Sequence, residues 1–325
     1  MQNKNKKLDF AFWGTPDVAA ETLEILKQND FIPSLIITAP DAKKGRGLRL
    51  QASPVALFAE KNNIPCLKPE KLDEKEIRDV LRTLGRSDGD GQRKFSAENF
   101  RGEQNIPDFF FVVAYGKIIP EEIINMPKLG SINIHYSLLP KYRGASPVES
   151  AILNGEIETG VTIQKMKFEL DSGSIIAQEK ISILPDEKAL DLRKRLIKIG
   201  GDLLVKLLST PSVQKDTSPY VVGGCVGVKQ DEKLATYCKK IKKEDGLIDL
   251  KDNAILNYNK FRAYVLWPRT FFLARRSLGE GRFQTKRIII TDAVLENNRF
   301  VIKKVLPEGR REINWQDYNL RHGID

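Results

Sequence analysis

One stretch of this chain concentrates groups able to do polar chemistry: Ser131-Ile132-Asn133-Ile134-His135-Tyr136-Ser137-Leu138-Leu139-Pro140-Lys141-Tyr142-Arg143-Gly144-Ala145. Its first five residues read as a β-strand. Strand side chains alternate between faces, so Asn133 and His135 project to one side while Ile132 and Ile134 project to the other. The only other histidine, His322, is near the C-terminus. A third polar group comes from Leu170-Asp171-Ser172-Gly173, a turn after a strand that ends near Met166. Taken singly, each has a bland reading: Asn-x-His as a hydrogen-bonded structural pair, and Asp171 as a turn residue bonding its own backbone. Taken together, an amide donor, an imidazole and a carboxylate at strand ends of one sheet can supply an oxyanion stabiliser, a general base and its orienting partner.

The elements that must position these groups follow from periodicity. Up to about residue 208, short apolar runs alternate with helical patterns, the signature of an open, mostly parallel twisted sheet of Rossmann-like type with helices on its faces. Strands are expected at 9–13, 34–38, 64–67, 108–114, 131–135 and 161–166, and helices at 16–28, 54–62, 74–84, 147–154 and 186–208, with a hairpin-like pair of short strands at 174–184. Open α/β sheets place ligands at the C-terminal ends of their strands, which is where His135 falls. Residues 85–105, rich in Gly, Arg, Asp, Ser and Asn, read as an exposed insertion, and 209–229, with its prolines and glycines, as a linker. After it, helical 233–243 and 253–261 precede β-rich patterns at 270–274, 287–291 and 299–305, which suggest a small OB-like β-barrel. The expected division is therefore 1–208, a linker at 209–229, and a second domain at 230–325.

A chain of 325 residues, 41% hydrophobic and 30% charged, is folded rather than disordered and long enough for two domains. It has no apolar run near the roughly 20 residues that span a bilayer, and its lysine-rich start leads straight into a strand, so a soluble cytoplasmic protein is expected. Three cysteines at unrelated spacings fit free thiols and no zinc site, with Cys66 expected in the core. The net charge is +10, and residues 230–325 hold 20 Lys and Arg against 13 Asp and Glu, so most of the surplus lies in the smaller C-terminal part. That distribution points to an anionic partner there. Gly14-Thr15-Pro16 lacks the three-glycine spacing of a dinucleotide site, and Pro16 opens a helix.

These residues resemble the folate-dependent formyltransferases over nearly the whole chain. The likeness runs from Phe12-Trp13-Gly14-Thr15-Pro16 through Pro40-Asp41, Ser53-Pro54-Val55, Val113-Ala114-Tyr115-Gly116 and Pro127-Lys128-Leu129-Gly130. It takes in Asn133-Ile134-His135, Ser137-Leu138-Leu139-Pro140, Arg143-Gly144, Thr159-Gly160-Val161-Thr162 and Leu170-Asp171-Ser172-Gly173, and resumes at Ala235-Thr236-Tyr237, Lys243-Glu244-Asp245-Gly246 and Trp267-Pro268. The resemblance implies that Asn133, His135 and Asp171 are the catalytic trio. It also implies that Ser137, Leu138, Leu139 and Pro140 line the folate site, with Ala114, Tyr115 and Gly116 beside them. The formyl donor it implies is 10-formyltetrahydrofolate, with no metal. Relative to that family, 85–105 looks inserted.

Within the family, the resemblance is to the tRNA-specific members, whose acceptor is the amino group of initiator methionyl-tRNA. Ala39 to Gln51 holds Lys43, Lys44, Arg46 and Arg49 among glycines, and lies where those members carry a basic loop that enters the acceptor arm. Lys239, Lys240, Lys242, Lys243, Arg275, Arg276 and Arg282 are further candidates for phosphate contacts, and a monomer is expected. The competing readings are a formyltransferase for an amino sugar or a ribonucleotide amine, and a non-catalytic RNA-binding protein on the same scaffold.

Overall fold

The computed structural model describes residues 8–44, 48–84, 106–210, 221–222, 225–277 and 283–322. The expected insertion at 85–105, and 211–220, 223 and 224 of the expected linker, lie outside these. The chain divides into two units, each drawn from separate stretches. The first takes residues up to Arg143, Gly160–Glu179 and Leu196–Ala235, and the second takes Gly144–Thr159, Lys180–Arg195 and Thr236 onward.

The strands through residue 182 are β1 (Phe10–Gly14), β2 (Leu35–Ile37), β3 (Ala42–Lys44), β4 (Arg49–Gln51), β5 (Cys66–Leu67), β6 (Phe109–Val113), β7 (Ser131–His135), β8 (Arg143–Gly144), β9 (Glu158–Lys165) and β10 (Ile175–Ser182). The helices are α1 (Asp17–Gln28), α2 (Pro54–Lys61), α3 (Glu74–Leu84), α4 (Glu121–Ile124), α5 (Pro147–Leu153) and α6 (Ala189–Leu208). Seven strands form one sheet in the order β10-β9-β7-β6-β1-β2-β5. The five from β5 to β7 run parallel, and β9 runs antiparallel to β7. Chain direction across the sheet reverses between β1 and β6, which opens a crevice at their C-terminal ends.

Central strands covered on both faces should be apolar throughout, and Phe10-Ala11-Phe12-Trp13-Gly14 and Phe109-Phe110-Phe111-Val112-Val113 are buried at every position. On one face Ala11, Trp13, Phe110, Val112 and Tyr115 pack with Ile77 and Leu81 of α3 and with Ile123 and Ile124 of α4. α2 begins where Ser53 caps the Ala56 N–H at 3.0 Å and Pro54 occupies the first turn; the Ser53 hydroxyl also meets Thr38 just past β2 at 2.8 Å. A short antiparallel pair, β11 (Val221–Val222) and β12 (Cys225–Val226), also belongs to this unit.

The structure departs from expectation at 174–184 and at Cys66. Residues 174–184 form the single strand β10 beside β9, because Ile175-Ile176-Ala177-Gln178-Glu179-Lys180-Ile181-Ser182 contains no turn-forming residue to divide it. Cys66 is exposed rather than in the core, on the two-residue edge strand β5.

The second unit has β13 (Tyr237–Cys238) and a four-stranded antiparallel sheet of β14 (Phe271–Ser277), β15 (Phe283–Glu296), β16 (Arg299–Pro307) and β17 (Ile313–Asn314). Two helices, α7 (Ala254–Ala263) and α8 (Trp315–His322), complete it. Tyr258 and Phe261 of α7 and Tyr318 of α8 share a core with Phe272, Ile288, Ile302 and Val305 of the sheet. The helix expected at 233–243 is replaced by two 3-10 turns, Glu232–Leu234 and Lys243–Gly246, on either side of β13. Asp231 accepts from the Lys233 N–H at 3.0 Å and Asp245 from the Lys242 N–H at 2.6 Å, local bonds that compete with a continuous helix.

Candidate active site

Asn133, His135 and Asp171 meet at one end of the sheet. Asn133 sits in β7 between Val112 of β6 and Gln164 of β9, its register partners on either side. Its Nδ2 donates to the Val112 carbonyl at 3.0 Å, and its Oδ1 accepts from Gln164 Nε2 at 3.2 Å. One N–H of the amide is thereby left over among the described residues, and Asn133 is partly exposed. The amide is thus held at its oxygen and offers a donor.

His135 ends β7 and is 6% exposed. Its Nε2 lies 2.8 Å from the Tyr142 carbonyl oxygen, and since a carbonyl only accepts, Nε2 carries the proton. The other nitrogen, Nδ1, therefore has a lone pair in the neutral ring, and it faces Asp171 Oδ2 at 3.6 Å. That separation suits an ion pair and is too long for a hydrogen bond. The ring is held by the Tyr142 carbonyl on one side, with Asp171 at ion-pair distance on the other.

Three non-glycine residues around the site hold positive φ: Ala114 (47°), Tyr142 (61°) and Asp171 (49°). Such backbones are costly for L-residues and gather where geometry is imposed for function. The Asp171 turn is possible because Gly173 follows: a Cβ there would run into the Lys165 carbonyl oxygen. Only glycine allows this close approach, which accounts for the Asp-Ser-Gly order.

The segment expected to line a ligand site is pinned from beneath. Thr162 Oγ1 donates to the Ser137 carbonyl at 2.6 Å and accepts from the Leu139 N–H at 3.1 Å; Gln178 Nε2 donates to the Leu139 carbonyl at 3.1 Å. Ser137 is fully buried and its hydroxyl donates to the Lys141 carbonyl at 2.6 Å, while Leu139 is 3% exposed. Ser137 and Leu139 therefore shape the turn from within, while Leu138 and Pro140 are partly exposed.

Ala114 and Gly116 are exposed at the end of β6, and nothing lies within 4 Å of a Cβ built on Gly116. Between them Tyr115 turns inward, its ring edge-on to Trp13 at 5.2 Å. Burial pushes the Tyr115 phenol up to about 12, so it stays protonated at neutral pH. Thr15 ties this turn to β1 by donating to the Tyr115 carbonyl at 3.0 Å.

Of the basic residues, Lys43 and Arg49 are exposed on the hairpin of β3 and β4, beside exposed Leu48 and Leu50. Arg46 and the side chain of Lys44 lie outside the described residues, as do the side chains of Arg275 and Arg276 and all of Arg282. Lys239, Lys240, Lys242 and Lys243 are exposed; the first three lie outside any helix and Lys243 opens a 3-10 turn.

A profile of the formyl transferase family matches residues 6–208. A methionyl-tRNA formyltransferase of a Thermotoga species is 41% identical over 257 residues, covering 79% of this chain and 72% of that one. The methionyl-tRNA formyltransferase of Carboxydothermus hydrogenoformans is 33% identical over 325 residues and covers 94% of each. The chain belongs to the methionyl-tRNA formyltransferase family. A solved methionyl-tRNA formyltransferase from Clostridium thermocellum superposes with a TM-score of 0.54 at 14% identity, covering 94% of this chain and 99% of that one, which extends the agreement in fold to both units.

Three side chains were given no role from sequence: Gln164, Gln230 and Arg143, the last quoted only within the family resemblance. Gln164 touches both Asn133 and Asp171, Gln230 holds the Asp171 and Gly173 carbonyls, and Arg143 bonds Gln230 from a site that is 1% exposed. Gln164 was findable, since pairing β9 antiparallel to β7 puts it beside Asn133. Gln230 is 66 residues further along, and no local pattern marks it.

Proposed function

We propose that this chain transfers the formyl group of 10-formyltetrahydrofolate to the α-amino group of methionine on initiator methionyl-tRNA, giving N-formylmethionyl-tRNA for translation initiation. The observation that carries the reading is the convergence of Asn133, His135 and Asp171 in a chain whose 33–41% identical relatives are methionyl-tRNA formyltransferases. The residues present also fit the donor: exposed Ala114 and Gly116 and partly exposed Leu138 and Pro140 give a flat heterocycle both apolar surface and backbone groups.

In the reaction a C–N bond forms between the formyl carbon and the amine, the bond from that carbon to the folate nitrogen breaks, and the amine's proton ends on the departing nitrogen. Asn133 donates its remaining N–H to the formyl oxygen as negative charge develops there. The His135–Asp171 pair takes a proton at Nδ1 from the attacking amine and returns it to the departing folate nitrogen. With that proton on Nδ1, His135 is a second donor to the same oxygen. No step requires a metal, and among the described residues no cluster of potential metal ligands occurs.

We assign tRNA contact to the β3–β4 hairpin, through Lys43, Lys44, Arg46 and Arg49, and to the basic C-terminal part from residue 230, with residues up to 208 serving catalysis and 209–229 linking the two. The exposed Leu48 and Leu50 add apolar surface to the hairpin, as a segment that wedges against unpaired bases requires. The protein acts as a cytoplasmic monomer; among the described residues no helix is long and apolar enough to cross a membrane.

The test supplies purified protein with 10-formyltetrahydrofolate and, in parallel, methionyl-tRNA or an amino-sugar nucleotide. Formylation of the tRNA alone supports the reading; preference for the sugar replaces it, and no transfer to either points to the non-catalytic alternative. Because the contacts are mainly to phosphates, log K for tRNA should fall by about 0.7 to 0.9 per neutralised phosphate for each decade of salt. A binding isotherm unchanged between low and high salt would contradict that.

A further inference from the structure

We infer that Gln164 is a positioning residue for formyl transfer, fixing which end of the Asn133 amide faces the substrate and holding Asp171 against His135. The inference rests on the reading of Asn133, His135 and Asp171 proposed above.

Gln164 lies opposite Asn133 across the β7–β9 pairing, where side chains on one face are close enough to bond. Its Nε2 donates to Asn133 Oδ1 at 3.2 Å and to Asp171 Oδ1 at 2.9 Å. A carboxylate only accepts, so this end of Gln164 must be the nitrogen. Asn133 in turn must present its oxygen to Gln164 and its nitrogen to the Val112 carbonyl, which also only accepts. Each amide in the chain thus has one permitted orientation. Reversing Asn133 would set its oxygen against the Val112 carbonyl and aim an acceptor at the position where the formyl oxygen gathers charge.

The far end of the chain is anchored. Gln230 Nε2 donates to the carbonyls of Asp171 (2.8 Å) and Gly173 (2.7 Å), with a longer 3.4 Å contact to Gln164 Oε1. Its Oε1 accepts from Arg143 Nε at 3.1 Å and Nη2 at 2.9 Å. A guanidinium only donates and a carbonyl only accepts, so Gln230 is fixed from both sides. Arg143 is held in turn by two 2.8 Å bonds to the Glu232 carboxylate. A buried guanidinium, three amides and two carboxylates therefore form one continuous network whose polarity ends at Asn133 and Asp171. The charged and titratable groups along it are Asp171, His135, Arg143 and Glu232.

The test uses the intact enzyme and two substitutions. Gln164→Met removes both donors at similar volume, and Gln164→Glu places an acceptor between two acceptors. Both should fold, checked by thermal unfolding. kcat at pH 8 should fall about tenfold for Gln164→Met and about 30-fold for Gln164→Glu, the range for losing hydrogen bonds to a charged group. KM for methionyl-tRNA should stay within about threefold, since neither change reaches the tRNA-binding surface.

The distinguishing readout is the pH profile. Once protonated, the carboxyl introduced by Gln164→Glu donates one hydrogen bond, so the ratio of that variant's kcat to the wild-type value should rise as the pH is lowered, while Gln164→Met keeps a constant ratio. A flat ratio for both, or kcat within about threefold of wild type in both, overturns the inference while leaving the functional reading standing. A wild-type enzyme inactive on methionyl-tRNA in the same assay overturns the functional reading, and this inference with it.

Discussion

Asn133→Ala lowers kcat for formylation of methionyl-tRNA by at least about 100-fold, and His135→Ala does the same, with tRNA affinity nearly intact in both. The magnitude is that of losing one donor from a preorganised oxyanion site, where 10²- to 10³-fold is typical. Asn133 is preorganised in that sense: the Val112 carbonyl and Gln164 hold its two ends, so no reorganisation is needed when charge develops. His135 is equally constrained, because its Nε2 proton is committed to the Tyr142 carbonyl and only Nδ1 is left to exchange a proton. Single-turnover kinetics with saturating folate separates the chemical step from binding. Turnover near wild type in either variant removes that residue from the catalytic assignment.

Arg143→Met destabilises the first unit by about 3 kcal/mol on the Gln230 side of the network and reduces kcat in the molecules that still fold. Gln230 Oε1 is buried and accepts two charge-assisted bonds from Arg143; a buried acceptor that loses partners of this kind costs about 1.5–3 kcal/mol, and packing losses add to it. Arg143→Lys fails to rescue, because an ammonium cannot make the forked contacts to Gln230 and Glu232 together.

The pair also gives stability a pH dependence of known sign. The Arg143 hydrogen bond holds the Glu232 carboxyl below its usual range. A carboxylate lowered by folding contributes stability that is present above its unfolded pKa and fades as the pH falls through the lowered value. Arg143→Met should lose that acid-side slope. Denaturant unfolding of the two proteins between pH 7 and the acid limit measures it, and parallel curves would rule the coupling out.

Much of this architecture is readable from residue order. Phe10 to Gly14 and Phe109 to Val113 are apolar at every position because both faces of a central strand are covered, and β7 falls at 131–135 as its alternation requires. The trio is legible for the same reason, with Asn133 and His135 two apart in a strand and Asp171 in a turn that glycine closes. What periodicity cannot give is the partner of a buried polar group. Arg143 and Gln230 are 87 residues apart, and only the folded sheet brings them together. Local bonding also defeats pattern: the Asp245 side chain takes the Lys242 backbone N–H that a helix over 233–243 would have used.

The edge-on contact of Tyr115 with Trp13 has a practical corollary. Trp13 is fully buried, its indole N–H without a partner among the described residues, behind the Ala114–Gly116 turn, so its emission belongs to a dry, apolar setting. Trp267, more than half exposed, lies in the other unit. Substituting Trp267 and Trp315 by Phe would isolate the Trp13 emission, and its shift on adding 10-formyltetrahydrofolate would test the proposed placing of the folate beside the Ala114–Gly116 turn.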